Sequence, residues 1–225
     1  MDKLFKNSPY VFIAFFVLVV YCFYQSYFGH FPDFKNVISP IGNVPITITK
    51  ITHFHALMLV IWLLMLIVQP ILILKKKVAW HRLIGKASYV LMTLLVISII
   101  LIINQEQSRE KNLGVFAANL VDFPVFVVFY CFAVYYRKKP AYHARFMIMS
   151  ILPLLSPVLA RINGPGIPIQ FGLWVLFFVV EYFNRKTFKP YLIGFGYYLI
   201  NFGIVAYLFL ANQTTLERLW NLFFG

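Results

Sequence analysis

Two stretches of this chain are nearly the same: KKKVAWH at residues 75–81 and RKKPAYH at residues 137–143. In each, a basic cluster follows a long apolar run, and a histidine begins the next apolar run. The correspondence continues inward, because Ser88 and Ser150 each lie seven residues beyond the histidine of their copy. The repeat predicts two helical hairpins with the same orientation, whose histidines occupy equivalent positions.

The composition indicates a membrane protein. The chain is 61% hydrophobic and 12% charged, and apolar runs recur with the length of about 20 residues that a helix needs to cross the bilayer. These runs are continuously apolar rather than alternating, which favours helices over a barrel. We therefore predict an all-α, polytopic protein that forms a single membrane domain over residues 1–225. About seven transmembrane helices are predicted, at roughly 9–28, 53–74, 82–103, 113–136, 144–161, 170–184 and 190–211.

The net charge of +13 is explained by membrane topology. With the amino terminus inside, most of the 20 lysine and arginine residues fall on the cytoplasmic side. This is the positive-inside rule, and it predicts an N-in, C-out topology. No basic domain remains for nucleic acid, so the expected partner is the lipid bilayer, together with other subunits if the protein belongs to a membrane complex.

The repeated histidines are candidate ligands of a cofactor. Two hairpins related by an axis along the membrane normal form a four-helix core, in which His81 and His143 lie at one depth near the cytoplasmic side. If both face inward, they can supply both axial ligands of a haem b. Arg82 and Arg145 can then pair with the haem propionates or with an anionic headgroup. The alternative is that the histidines are interfacial side chains that meet lipid phosphates. Beyond haem iron, no metal site is predicted.

A second candidate site lies in the predicted outer half. Asp122 is nine residues into the fourth predicted helix, about 13 Å below its outer end. A carboxylate there normally faces the bundle interior and has a partner. Asn119 shares its face, and His55 and Arg161 are candidate partners. His53 is a weaker one, since residues i and i+2 of a helix point in different directions. These residues predict a polar cavity open to the outer face; the alternative is a structural ion pair.

Three further features carry predictions. The fifth predicted helix contains Pro153 and Pro157, which remove backbone donors and predict a kink. Glu181 is expected at the inner interface, where Arg185 lies one turn further on. The segment 212–225 predicts a short interfacial helix.

Motifs within residues 50–162 carry a resemblance to a known family. They are His53-Phe54-His55-Ala56, Trp62, Gln69-Pro70, His81-Arg82-x-x-Gly85-Lys86 and His143-x-Arg145-x-Met147. On these motifs the chain resembles an uncharacterised bacterial multipass membrane family, common in Bacteroidetes-like genomes and known as a domain of unknown function. The resemblance implies location in the bacterial inner (cytoplasmic) membrane and brings no known activity.

A more distant likeness is to the cytochrome b ascorbate ferrireductases, which hold two haems between paired histidines on a four-helix core. His81 and His143 match one such pair. The second pair is not reproduced, because Asn119 and Asp122 occupy the outer half of the helix that would face His55. The likeness therefore implies one haem at most.

Three functions follow from these features, and the sequence does not decide whether the protein is an enzyme. The first is a haem-b-binding redox or haem-handling protein that uses His81 and His143. The second is a proton-coupled transporter or small-molecule-binding membrane protein, in which Asp122 and His55 titrate in an outer cavity and Arg161 binds an anion. The third is a structural subunit of a larger membrane complex, which the 19% aromatic content supports.

Overall fold

The computed structural model describes residues 6–40, 43–184 and 189–225. Its helices are α1 (Ser8–Cys22), α2 (Lys50–Leu74), α3 (Val78–Arg109), α4 (Leu113–Tyr135), α5 (Pro140–Met149), α6 (Leu152–Ala160), α7 (Gly166–Asn184), α8 (Lys189–Ala211) and α9 (Gln213–Phe224). Between α1 and α2 lie a 3-10 turn at Phe28–His30 and two short antiparallel strands, β1 (Val37–Ser39) and β2 (Val44–Ile46). In the ladder, Val37 is opposite Ile46.

The protein is an all-α, multi-pass membrane protein, as predicted. In the described chain, six segments are long and apolar enough to cross a bilayer: Lys50–Leu74, Val78–Arg109, Leu113–Tyr135, Pro140–Ala160, Gly166–Phe183 and Lys189–Ala211. The first predicted segment is shorter than expected, since α1 has 15 residues and a crossing helix needs about 20. A seventh crossing, and with it the N-in, C-out topology, therefore stays a prediction.

The sequence repeat is also a repeat of secondary structure. The second helix of each hairpin begins three residues before its histidine, at Val78 in α3 and at Pro140 in α5. The first helix of each hairpin begins with a side-chain cap, in which Thr49 accepts from the Thr52 N–H at 3.3 Å and Asn112 accepts from the next turn at 3.0 Å. Such caps satisfy backbone donors that the first turn of a helix leaves free. The two hairpins therefore start and turn at matching points.

The two copies diverge where the second one breaks. Ser88 and Ser150 make the same local bond, from Oγ to the carbonyl three residues earlier, at 2.6 Å and 2.7 Å. Beyond Ser88, α3 continues unbroken, whereas α5 ends at Met149 and α6 begins at Leu152. Pro153 explains the break, because it lacks the N–H that would bond the Met149 carbonyl and its ring crowds the preceding turn. The predicted kink is confirmed, and it lies just before the first proline.

The chain forms two compact units. The first comprises Met1–Ile102 with Val158–Gly164, and the second comprises Ile103–Pro157 with Pro165–Gly225. In the first unit, α1 packs along α2. In the second, α4 packs against α5 and α8, and α9 packs against α4 and α8. The predicted four-helix core would draw helices from both units, and it stays a prediction.

The carboxyl-terminal segment forms the short helix that was predicted. Within the second unit, Trp220 of α9 donates from its indole nitrogen to Oε1 of Gln107 at 2.8 Å. Leu216 of the same helix is fully buried, while Leu222 and Phe223 are exposed. The helix is thus fixed to the second unit by one face and presents apolar side chains on another.

Candidate functional site

A polar cluster in the second unit is centred on Gln170, whose side chain is buried. Its Nε2 group donates to Oγ of Ser156 at 2.9 Å and to the Leu152 carbonyl at 3.0 Å, and lies 3.4 Å from Oδ1 of Asp122. The Tyr198 hydroxyl donates to Oε1 of Gln170 at 2.8 Å. The Ser156 side chain also interacts with the Asp122 carboxyl group. One side chain from each of α4, α6, α7 and α8 therefore meets in a single network.

A small cavity adjoins this network. It has a volume of about 50 Å³ and is lined by Asp122, Ser156, Gln170 and Tyr198, together with Ala118, Val121, Ile167 and Phe202. A water molecule needs about 10–15 Å³ of such space, so the cavity can hold one or a few atoms the size of water. Among the described residues, Asp122 is the only carboxyl group in the lining, and it forms no salt bridge with any of them.

The turn of α4 that carries Asp122 is held by α8. Pro124 lies inside α4 and lacks the N–H that would bond the carbonyl of Leu120. Asn201 supplies a replacement, since its Nδ2 donates to the carbonyls of Leu120 at 3.3 Å and Val121 at 3.0 Å. A carbonyl that a proline leaves without its helical partner is in this way satisfied inside the protein, as membrane burial requires.

The structure places Asp122 half-buried in this network, and the sequence prediction for this site did not find its neighbours. Gln170, Tyr198 and Asn201 were missed, although Gln170 and Asn201 are polar residues within apolar runs and the criterion that selected Asp122 applies to them too. Asn119, which was predicted to share the face of Asp122, has a buried Nδ2 with no hydrogen-bond partner in the described part of the chain.

His55 and Arg161, the predicted partners of Asp122, belong to the first unit. The Ser98 hydroxyl donates to the Leu95 carbonyl at 2.7 Å, so Nδ1 of His55 is the donor in its 3.1 Å bond to Oγ of Ser98. The Arg161 guanidinium lies 3.8 Å from the centre of the Phe23 ring and interacts electrostatically with His55. Their predicted pairing with Asp122 stays a prediction.

His53 points away from His55, as residues i and i+2 of a helix should. Its Nδ1 is 2.7 Å from the Tyr27 hydroxyl, and its ring packs edge-on against Phe34 at 4.7 Å. The capping box of Thr49 keeps α2 wound from its first turn. The two histidines therefore have separate surroundings within the first unit.

Each repeated histidine is bonded to the preceding helix of its own hairpin. Nδ1 of His143 donates to the Ala133 carbonyl at 2.8 Å. The Gln69 amide makes most hydrogen bonds when its oxygen accepts from the Gly85 N–H at 3.1 Å and its nitrogen donates to Nδ1 of His81. Nδ1 of His81 also lies 3.4 Å from the Gln69 backbone carbonyl, so it has an acceptor as well as an amide donor beside it. The bond of His143 to a carbonyl places the proton of its neutral ring on Nδ1.

Arg145 has a different partner from those predicted. Its Nε and Nη2 groups donate to the two carboxylate oxygens of Glu181 at 2.6 Å and 2.9 Å, and its Nη1 donates to the Ala141 carbonyl at 2.8 Å. The two side chains of the pair are 0% and 1% exposed, so Arg145 has no face toward a headgroup or a propionate. The prediction that Glu181 lies at an interface beside Arg185 is also corrected, since Glu181 is buried against Arg145; Arg185 lies outside the described residues. Arg82 is exposed.

Comparisons of the chain with protein-family models, with curated proteins and with solved structures found no match. Neither resemblance stated above is tested by them, and both stay expectations.

Proposed function

We propose that this integral membrane protein is a proton-coupled transporter of a small solute, and that Asp122 is the group that binds the solute and exchanges the proton. The observation that carries the proposal is an intramembrane carboxyl group beside a cavity, with only neutral hydrogen-bond partners among the described residues. Insertion measurements put the cost of a carboxylate at the centre of a transmembrane helix at about 2.5–3.5 kcal/mol, so such a residue is normally functional.

The break between α5 and α6 supports the same proposal. Interrupted transmembrane helices occur where the backbone lines a cavity or a binding site, because lipid cannot satisfy backbone groups. The restarted helix α6 contributes both Ser156 and the Leu152 carbonyl to the network of Gln170. A helix break and a polar site thus occur on the same segment.

The predicted topology and the predicted membrane are part of this proposal. With an N-in, C-out topology in a bacterial inner membrane, the cavity faces the outer half of the bilayer. His55 and Arg161 belong to the first unit, and their predicted roles as a titrating group near the outer end of α2 and as an anion site are separate from the site at Asp122.

The test is proton flux into proteoliposomes under an imposed potassium diffusion potential, followed with a trapped pH-sensitive dye and measured as the increase that added small solutes (methylammonium, acetate or glycine) produce. We expect Asp122→Asn to reduce the flux to the rate of protein-free liposomes, because the amide cannot exchange a proton. Asp33→Asn is the matched control, since Asp33 is exposed and pairs with Lys35 at 3.4 Å outside the membrane spans. A wild-type flux in Asp122→Asn would return Asp122 to a structural role.

A haem b site at His81 and His143 is the second candidate function. The bond from Nδ1 of His143 to a backbone carbonyl favours it. This bond keeps the proton on Nδ1, so the lone pair of Nε2 is free to bind the haem iron. His81 has the same arrangement when its Nδ1 donates to the Gln69 backbone carbonyl at 3.4 Å. We expect the protein, expressed with ample haem, to show a Soret band that His81→Ala and His143→Ala each abolish and that His30→Ala leaves intact. The absence of a Soret band in the wild-type protein would exclude this function.

A further inference from the structure

We propose that the solute held beside Asp122 is a small protonated amine, namely ammonium or methylammonium. This inference rests on the proposed function and narrows its solute to one chemical class. Three properties of the cavity support it: its size, its unused hydrogen-bond acceptors and its aromatic wall.

The size of the cavity limits the solute to very few atoms. On this measure a water molecule needs about 10–15 Å³, so a volume of about 50 Å³ holds a few atoms the size of water. Ammonium is the size of water, and methylammonium adds one carbon atom. Amino acids, sugars and quaternary amines are too large unless the helices move apart.

When Asp122 is ionised, the hydrogen-bonding groups of the cavity favour a solute that donates hydrogen bonds. The Gln170 amide already donates to Ser156 and Leu152, and the Tyr198 hydroxyl already donates to Gln170. What remains is acceptor capacity, on the carboxylate of Asp122 and on the hydroxyl oxygens. A carboxylate has about four lone-pair sites, more than Ser156 and the 3.4 Å contact with Gln170 can occupy. A cation that carries several N–H groups matches both this acceptor surplus and the negative charge.

The remaining wall is apolar and aromatic, which favours an ammonium ion over a metal ion. Tyr198 and Phe202 stack with ring centres 6.0 Å apart, and both line the cavity. Aromatic faces attract weakly hydrated cations such as substituted ammonium ions. A hard metal cation such as Ca²⁺ instead takes about six to eight oxygen ligands, which this mostly apolar lining does not supply.

The experiment is equilibrium binding of radiolabelled methylammonium to the purified full-length protein in detergent. Ammonium, sodium and tetramethylammonium chlorides serve as competitors at equal ionic strength. We expect saturable binding that ammonium displaces and that sodium and tetramethylammonium do not. Asp122→Asn should weaken binding by about tenfold or more, because it removes the charge that pairs with the ligand. Asp33→Asn should leave it unchanged.

A second variant separates a specific site from a general loss of fold. Val121→Ala shortens a side chain in the wall next to Asp122 and so enlarges the cavity. The binding preference should then shift from methylammonium toward dimethylammonium. No saturable binding to the wild-type protein, equal displacement by sodium, or an unchanged size preference in Val121→Ala would each overturn the inference. If the proton flux depends on Asp122 while methylammonium does not bind, the proposed function stands and this inference fails; if neither holds, both fail.

Discussion

Replacing either Arg145 or Glu181 with alanine is expected to lower the free energy of unfolding by about 3–5 kcal/mol, because each change leaves a buried charge without its partner. The pair is bidentate, at 2.6 Å and 2.9 Å, and joins α5 to α7 inside the second unit. Unfolding by sodium dodecyl sulfate titration in mixed micelles, followed by tryptophan fluorescence, measures the change. The double replacement Arg145→Met with Glu181→Leu should cost less than either single alanine change, because no charge is left buried.

The exposed pair of Lys35 and Asp33 provides the control for this prediction. Its two side chains are 82% and 66% exposed, and such surface pairs contribute about 0–1 kcal/mol. Lys35→Ala should therefore leave the unfolding curve nearly unchanged. If Arg145→Ala unfolds at the same detergent fraction as Lys35→Ala, the buried pair contributes no more to stability than the exposed pair.

The fold class and the repeat could be predicted from the sequence because both depend on local patterns. Apolar runs of spanning length identify membrane helices without knowledge of their packing. The repeated motif locates the starts of α3 and α5, which lie at equivalent positions, Val78 and Pro140. The ends of elements were less predictable: α3 extends to Arg109, well beyond its predicted end, because a helix can continue past its apolar stretch.

The partners of charged residues could not be predicted, because they depend on how distant helices pack. Glu181 was expected at the inner interface near Arg185, four residues further along the chain, but its partner is Arg145, on a different helix. Asp122 was recognised from its own depth, whereas its neighbour Gln170 belongs to a helix later in the chain. The depth of a residue in the membrane can be predicted from its own helix, whereas its partner depends on how at least two helices pack.

The differences between the two repeat copies account for where the candidate site lies. The second copy has Pro153 and Pro157 where the first has Leu91 and Leu95, and it has Asp122 where the first has Val60. The leucines keep α3 continuous, while the prolines break the equivalent helix of the second copy. Ser156, which also belongs to the network, has Leu94 as its equivalent in the first copy. The first hairpin therefore has no counterpart of this site.

Gln170→Leu is expected to lower the free energy of unfolding by about 2 kcal/mol, because bonds from one amide to several helices are lost together. Tyr198→Phe and Ser156→Ala each remove one of these bonds and should cost about 0.6 kcal/mol, the average for hydrogen bonds between membrane helices. Gln213→Leu makes the same substitution at an exposed position and is the matched control. Detergent-induced unfolding of the four variants tests the order, and Gln170 is not the centre of the network if its replacement costs no more than that of Tyr198.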